Sequence, residues 1–364
     1  MKINEIIGAL NHWAPPAYQE SYDNARLITG DPNSELTGIL VSLDCTEEVV
    51  QEAIDKKANL IVAHHPIVFK GLKSFTGKNY VERTIIKAIK NDVAIFSIHT
   101  NLDNVNTGVN RMISERIGLN NGRTLAPKTN ILSKLVTFVP TQDAQSVLDS
   151  LYQSGLGHVG NYDQCSFQIK GTGSFRPNEQ ARPVIGKTNE RELVDEIRIE
   201  GIFPSHLKNK VVAALKKAHP YEEVAYYLTA LENENQEVGS GMVGELESPM
   251  PILEFMQLLK DRFNLKVIRH TSFHKNEIKR IAVCGGSGSF LLGDAIRSGA
   301  DIFITADFKY HEFFDAEQKI IIADIGHYES EVFTKELICN FLKEKFANIA
   351  LNLSEVDTNP IKYF

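Results

Sequence analysis

The stretch Ala58-Asn59-Leu60-Ile61-Val62-Ala63-His64-His65-Pro66 decides the fold. Four consecutive apolar residues, bounded by a polar residue before and a polar pair plus proline after, read as a strand buried on both faces. Such strands belong to parallel sheets covered by helices. The neighbouring sequence agrees. Ile39–Leu43 reads as a buried strand, Thr46–Lys57 as a helix with Thr46 as N-cap, Val81–Ile89 as a helix, Val93–Ile98 as a strand and Val109–Ile117 as a helix. Strand–helix alternation implies a mostly parallel α/β sheet.

The same texture returns after residue 245. Aligning Ala53-Ile54 with Ala295-Ile296 (295 − 53 = 242) places Val41 on Val283, Ala58 on Ala300, Leu60 on Ile302 and His65 on Asp307 without a gap. Between the two copies the texture is different. Leu135–Val139, Cys165–Gly171, Glu196–Ile202 and Ala225–Leu231 read as strands, and Asp143–Ser154 and Pro204–Ala218 as helices. This β-α-β-β-α-β order is that of a ferredoxin-like plait. Gly171–Asn189 reads as a long exposed loop and Glu232–Glu237 as a linker. The expected organisation is an N-terminal α/β lobe (1–130), an inserted α+β domain (131–240) and a C-terminal α/β lobe (241–364), the two lobes being related and forming one split domain.

Composition narrows the function classes. Hydrophobic residues make up 43 % and charged residues 23 % of the 364 positions, enough apolar content for packed cores in more than one domain. The net charge is −7 and the basic residues are scattered, so the basic stripe of a nucleic-acid binder is absent. No apolar run approaches the roughly 18 residues of a membrane span. No signal-like stretch opens the chain, so the expected compartment is the cytoplasm. The four cysteines, Cys45, Cys165, Cys284 and Cys339, form no CxxC pair, so any metal would be held by histidine and carboxylate.

Three polar clusters follow buried strands, and ligands of open α/β sheets collect at the carboxyl ends of strands. His64-His65 follows the first. Asp103, within His99-Thr100-Asn101-Leu102-Asp103, follows the next, with His99 and Asn101 placed to support it by hydrogen bonds. His327 and Glu331 follow Ile320–Ala323 and, four apart, share one face if a helix starts there. Alone, each cluster also reads as ordinary structure: a core histidine, an Asx turn, a helical surface pair. Together, three histidines, one aspartate and one glutamate suit Zn, Mn, Fe or Co. Five ligands suit two divalent ions about 3.5–4 Å apart better than one tetrahedral ion, and a water between two such ions becomes a nucleophile near neutral pH. Thr305–His311 adds a further polar cluster opposite His64-His65 in the repeat. Gly285-Gly286-Ser287-Gly288-Ser289 reads either as a phosphate-holding helix start or as a tight turn.

Ala63-His64-His65-Pro66, Ile98–Asp103, Thr305–His311 and Gly326-His327-Tyr328-Glu329-Ser330-Glu331, in this order, resemble the signatures of the type 2 GTP cyclohydrolase I homologue family, also called the NGG-interacting-factor-three-like family. The resemblance covers the whole chain. His158–Tyr162 with Cys165–Phe167, and His219–Tyr226, resemble the PII-like insert of longer bacterial members. The chain departs from the family at Tyr22-Asp23-Asn24-Ala25-Arg26, where a Trp-Asp-Asn-x-Gly pattern is frequent, and at Met242, where arginine is common.

The resemblance implies a dinuclear site on His64, His65, Asp103, His327 and Glu331, and a homohexameric ring with the sites facing an internal cavity. Hydrolysis of a nucleotide or phosphoester, with His311 or His99 moving protons, is one expected function. A regulatory metal-binding ring that senses a ligand through its insert, or a purely structural metal, are the others.

Overall fold

The computed structural model describes all 364 residues. The chain divides into two compact units, Met1–Ala126 with Glu237–Phe364, and Pro127–Gln236. The N-terminal segment carries α1 (Ile3–Trp13), β1 (Leu27–Thr29), β2 (Ile39–Ser42), α2 (Glu47–Asp55), β3 (Leu60–Ala63), α3 (Tyr80–Lys90), β4 (Ala94–Ser97), α4 (Thr100–Asn104), α5 (Val109–Ile117) and β5 (Asn120–Lys128). The middle segment carries β6 (Leu132–Pro140), α6 (Ala144–Ser154), β7 (Phe167–Phe175), β8 (Glu192–Pro204), α7 (Lys208–Ala218) and β9 (Tyr226–Leu231). The C-terminal segment carries β10 (Asn235–Pro251), α8 (Ile252–Phe263), β11 (Arg269–His270), β12 (Glu277–Ser287), α9 (Leu292–Arg297), β13 (Ile302–Ala306), β14 (Ile321–Asp324), α10 (His327–Glu331), α11 (Thr334–Lys345) and β15 (Leu351–Leu353).

The first unit holds two sheets, ordered β1-β4-β3-β2-β15 and β11-β14-β13-β12-β10-β5. In the first, β15, β2, β3 and β4 run parallel and β1 closes one edge antiparallel. All four residues of β3 are buried. Helix α2 starts where Thr46 Oγ1 accepts the Val49 amide at 3.4 Å. It buries Val49, Val50 and Ala53 against Leu40, Ile61 and Ala63 of the sheet, and α3 adds Ile85 and Ala88. In the second sheet, Ala282, Phe303 and Ile322 of the central strands pack with Ala295 of α9. In the first sheet Val41 pairs with Val62, and in the second Val283 pairs with Ile304. Both partners are displaced by the offset read from the sequence (283 − 41 = 304 − 62 = 242), so the two βαβ units share one register.

Each sheet borrows a strand from the far end of the chain. β15 lies beside β2, and β5 lies in the sheet of β10–β14. The long strands β5 and β10 were not legible as such in the sequence, and β10 begins inside the expected linker Glu232–Glu237. β10 carries Gly239, Gly241, Gly244 and Pro249, residues that weaken a strand reading and are tolerated because neighbouring strands hold them.

The second unit is one sheet, ordered β7-β8-β6-β9 and antiparallel throughout, with α6 and α7 joining its strands in β-α-β-β-α-β order. Leu135, Val139, Ile197, Ile199 and Phe203 of the sheet pack with Val147, Leu148 and Leu151 of α6 and Val211 and Leu215 of α7. β7 continues to Phe175, so the expected Gly171–Asn189 loop starts five residues late: alternating residues paired with β8 override its glycine content.

Candidate metal centre

The strand ends of the first unit converge on one point. His64 and His65 leave β3, and their side chains lie on the same crevice because strand alternation ends there. Asp103 sits on α4, directly after β4. His327 opens α10 and Glu331 closes it, one turn apart, so both point to the same side: His327 Nε2 lies 3.1 Å from Glu331 Oε2. His65 Nε2 lies 3.0 Å from the same oxygen and 3.4 Å from His327 Nε2. On the other side of the glutamate, His64 Nε2 is 3.9 Å from Glu331 Oε1 and 3.5 Å from Asp103 Oδ1. Two groups result, His65–His327–Glu331 and His64–Asp103–Glu331, sharing Glu331, each with all ligand atoms within 4.8 Å of one another.

Each imidazole is aimed by a bond to its other nitrogen. His64 Nδ1 donates to the Ile98 carbonyl at 2.8 Å, and His65 Nδ1 meets Asp44 Oδ1 at 2.8 Å. His327 Nδ1 meets Asp307 Oδ2 at 2.6 Å, and His99 Nδ1 meets Asp23 Oδ1 at 2.9 Å. Carboxylate or carbonyl behind the ring is the arrangement that fixes the tautomer and orientation of metal-binding histidines. Asp307 adopts a left-handed φ of 60°, which aspartate tolerates better than most residues and which turns its carboxylate toward His327. Thr358 Oγ1 donates to Asp44 Oδ2 at 2.6 Å, tying the C-terminal segment into the same network.

The protonation balance differs across the site. Burial pushes His64 down to about 4, against the attraction of Glu331. His65 rises to about 9 and His327 to about 11: burial opposes both shifts, but the flanking carboxylates of Asp44 or Asp307 and of Glu331 win. Burial opposes it, but Glu331 is itself held well below the ordinary carboxylate range by the surrounding histidines, His327 foremost. Asp103 is raised well above that range by burial and by the charge of Glu331.

The donor set fits a divalent cation. His64 Nε2 and Asp103 Oδ1 are buried and have no hydrogen-bond partner, a costly arrangement for polar atoms. Their separation of 3.5 Å exceeds a hydrogen bond but matches the about 3.3 Å between two ligands of one tetrahedral ion with bonds near 2.0 Å. The thiol of Cys284, which also lines the cavity, is pushed up by burial and by Asp103 and Glu331, so it stays neutral and leaves the donors as nitrogen and oxygen.

The glycine-rich turn serves this geometry. A Cβ on Gly286, whose φ is +59°, would lie 2.6 Å from Glu331 Oε1. The Gly285 amide donates to Asn110 Oδ1 and the Gly286 amide to Ser330 Oγ, both at 3.0 Å, so neither is free to hold a phosphate. Asn101 also differs from expectation: its side chain bonds the Ala14 carbonyl and the His99 amide, away from the ligands. His99 lines the cavity, its ring 5.3 Å from that of His64 and 5.2 Å from that of His65. His311 lies on the 3₁₀ turn Tyr310–Ala316, exposed and packed on Tyr310 and Phe314, and does not line the cavity. Sequence reading overlooked Asp44 and gave Asp23 no role. Asp44 had a readable signal, because it follows the carboxyl end of β2, the strand beside β3.

The cavity above the cluster measures ≈ 460 Å³. Tyr22, Phe69, Phe290 and Tyr328 supply aromatic walls, Ser240, Asn104 and Asn359 supply polar ones, and no lysine or arginine lines it. No helix of the chain is long and apolar enough to cross a membrane.

A protein called GTP cyclohydrolase 1 type 2 homolog from Halalkalibacterium halodurans is 39 % identical over 363 residues, covering 98 % of each chain. One of the same name from Bacillus subtilis is 36 % identical over 367 residues, covering 99 % of this chain and 98 % of its own. The crystal structure of a Bacillus cereus protein related to NIF3 superposes with a TM-score of 0.89 at 36 % identity, covering 100 % of this chain and 99 % of the other. The model of the family described as Duf34/NIF3 (NGG1p interacting factor 3) matches residues 1–360, and the chain belongs to that family.

Proposed function

We propose that this chain is a hydrolase that works with two divalent metal ions, held by His64, Asp103 and Glu331 on one side and by His65, His327 and Glu331 on the other. The observation that carries this reading is the position of Glu331, with one oxygen turned to each group. Ions at such a site would supply Lewis acidity and a nucleophile generated from water at neutral pH. The protein's own contributions are separable from that. Asp44, Asp307 and the Ile98 carbonyl hold three imidazoles in one orientation. His99, oriented by Asp23, can accept and return a proton at its remaining nitrogen. Tyr22, Phe69 and Phe290 offer faces for a planar substrate.

The relatives' name points to GTP, and a nucleotide or another phosphoester fits the chemistry. Because no lysine or arginine lines the cavity, one phosphoryl or carbonyl group beside the ions is better supported than a whole triphosphate. The test is turnover of a panel of nucleotides, nucleoside monophosphates and simple phosphomonoesters by metal-loaded protein, with H64A as control. Rates that match in wild type and variant would end the reading.

By the same family resemblance we propose that the chain assembles as a homohexameric ring, that Pro127–Gln236 is a PII-like domain, and that the protein works in the cytoplasm. A regulatory role through that domain is the second reading, favoured by the separate cavity that it contains.

A further inference from the structure

The inserted unit has one sheet face covered by α6 and α7 and one left open. Ile197 and Ile199 of β8 point to the helices, so Glu196 and Arg198 point to the open side. A cavity of ≈ 650 Å³ lies on that side, roofed in part by the segment Pro177–Ile185. At its floor, Glu196 is only 8 % exposed. Its carboxylate lies against β7, where a Cβ at Gly173 would overlap it, so that glycine is what admits the group.

Glu196 forms no ion pair. Two cations of the sheet are committed elsewhere: Arg198 Nη2 and Lys134 Nζ both reach Glu200, at 2.7 and 3.3 Å, while Lys170 and Arg176 also line the cavity without pairing with Glu196. Beside Glu196 stands the buried hydroxyl of Tyr221, which burial and the neighbouring Glu196 carboxylate push up to about 12. Tyr221 is held in place by His219, whose Nε2 donates to the Phe138 carbonyl at 2.8 Å and whose Nδ1 accepts the Tyr221 amide at 3.1 Å. That gives a role to the His219-Pro220-Tyr221 motif, which the metal centre does not use. Two edge-to-face aromatic pairs complete the walls, Phe175–Tyr221 with centroids 5.6 Å apart and Phe138–Tyr227 at 5.8 Å.

A buried carboxylate without an ion pair is stabilised when a cation meets it, and aromatic faces around it favour a cation that also carries apolar surface. We propose that the inserted unit holds a second ligand site, for an organic cation of the alkylamine or alkylguanidine class, with Glu196 as counter-charge, Tyr221 Oη as acceptor and Phe138, Phe175 and Tyr227 as the apolar wall. The site stands independently of the metal reading, since all its residues belong to Pro127–Gln236.

The experiment is calorimetric titration of the full-length protein with agmatine and with butylamine, using 1-butanol as the uncharged isostere. Saturable binding of at least one cation and none of the alcohol is expected. E196Q, which keeps the shape and removes the charge, should weaken that binding about tenfold or more, and Y221F roughly threefold, from loss of charge-assisted and single hydrogen bonds. H64A should leave it unchanged. Equal binding in E196Q, equal binding of the alcohol, or no saturable binding of either cation would overturn the proposal. The last outcome includes the case in which a second copy of the chain covers the face.

Discussion

The two groups of the candidate metal centre share Glu331 and differ in almost everything else. On the His64–Asp103 side the ligand atoms are buried and without partners, and the imidazole is held neutral. On the His65–His327 side the same glutamate accepts from two histidines that are held protonated, and His327 remains 36 % exposed. In the first half, His64 Nε2 and Asp103 Oδ1 are buried without hydrogen-bond partners, an arrangement a bound cation would relieve. The other half is already satisfied by protons, which a cation must displace. Binding at the first half should therefore be driven by relief of stranded polar atoms, and binding at the second should be coupled to pH.

The shared carboxylate gives the sharpest test. E331Q removes the charge common to both halves and should reduce bound metal from two ions per chain to nearly none after dialysis, read by mass spectrometry of purified protein. Retention of both ions would mean that Glu331 is not the bridge. H64A should empty only the buried half, leaving about one ion per chain, and loss of both would show that the halves do not bind separately. D44N leaves all five donors in place but loosens His65, and a competition titration with a chromogenic chelator should show a 10–100-fold weaker second ion.

The pH dependence separates the halves by sign. In chelated protein, the folded pKa values of His65 (about 9) and His327 (about 11) stand above the ordinary 6.5. Their stabilising contribution is therefore complete below about pH 6.5 and is lost as pH rises through 9 and then 11. The melting temperature of the metal-free protein should fall between pH 7 and 9.5, while the stabilisation produced by added metal should grow over the same range. A smaller effect is expected at the acid end. Asp23, held at about 2 by its bonds to His99 and Thr100 against its burial, contributes stability above pH 4 that disappears as the pH falls toward 2. D23N should flatten that limb of the stability curve and shift the pH profile of any turnover by loosening His99.

Local physics made part of this legible in advance. Leu60–Ala63 is apolar at every position, so it had to be buried on both faces, and the histidine pair after it had to sit at a sheet's ligand-binding edge. The spacing of His327 and Glu331 sets their side chains on one helical face wherever the helix lies. The four-apart rule, the N-cap at Thr46 and the offset of 242 between two βαβ units are short-range statements, and short-range statements survive folding. Other parts were illegible for an equally physical reason. Asp44 and Asp23 look like ordinary turn residues; only the parallel pairing of β2 with β3 puts Asp44 behind His65, and only the packing of the segment before β1 on Thr100 puts Asp23 behind His99.

The sequence alone determined the strand and helix alternation, the repeat, the ordered clusters of histidine and carboxylate, and through them the family. Periodicity and donor chemistry are written residue by residue. Tertiary structure alone decided that β15 and β5 are exchanged between the two sheets, that Glu331 faces two groups at once, that His311 lies outside the cavity while His99 lines it, and that Glu196 lies without an ion pair in a cavity walled by aromatics. Those facts depend on distances between segments up to some 300 residues apart, which no local pattern encodes because packing of the whole core sets them.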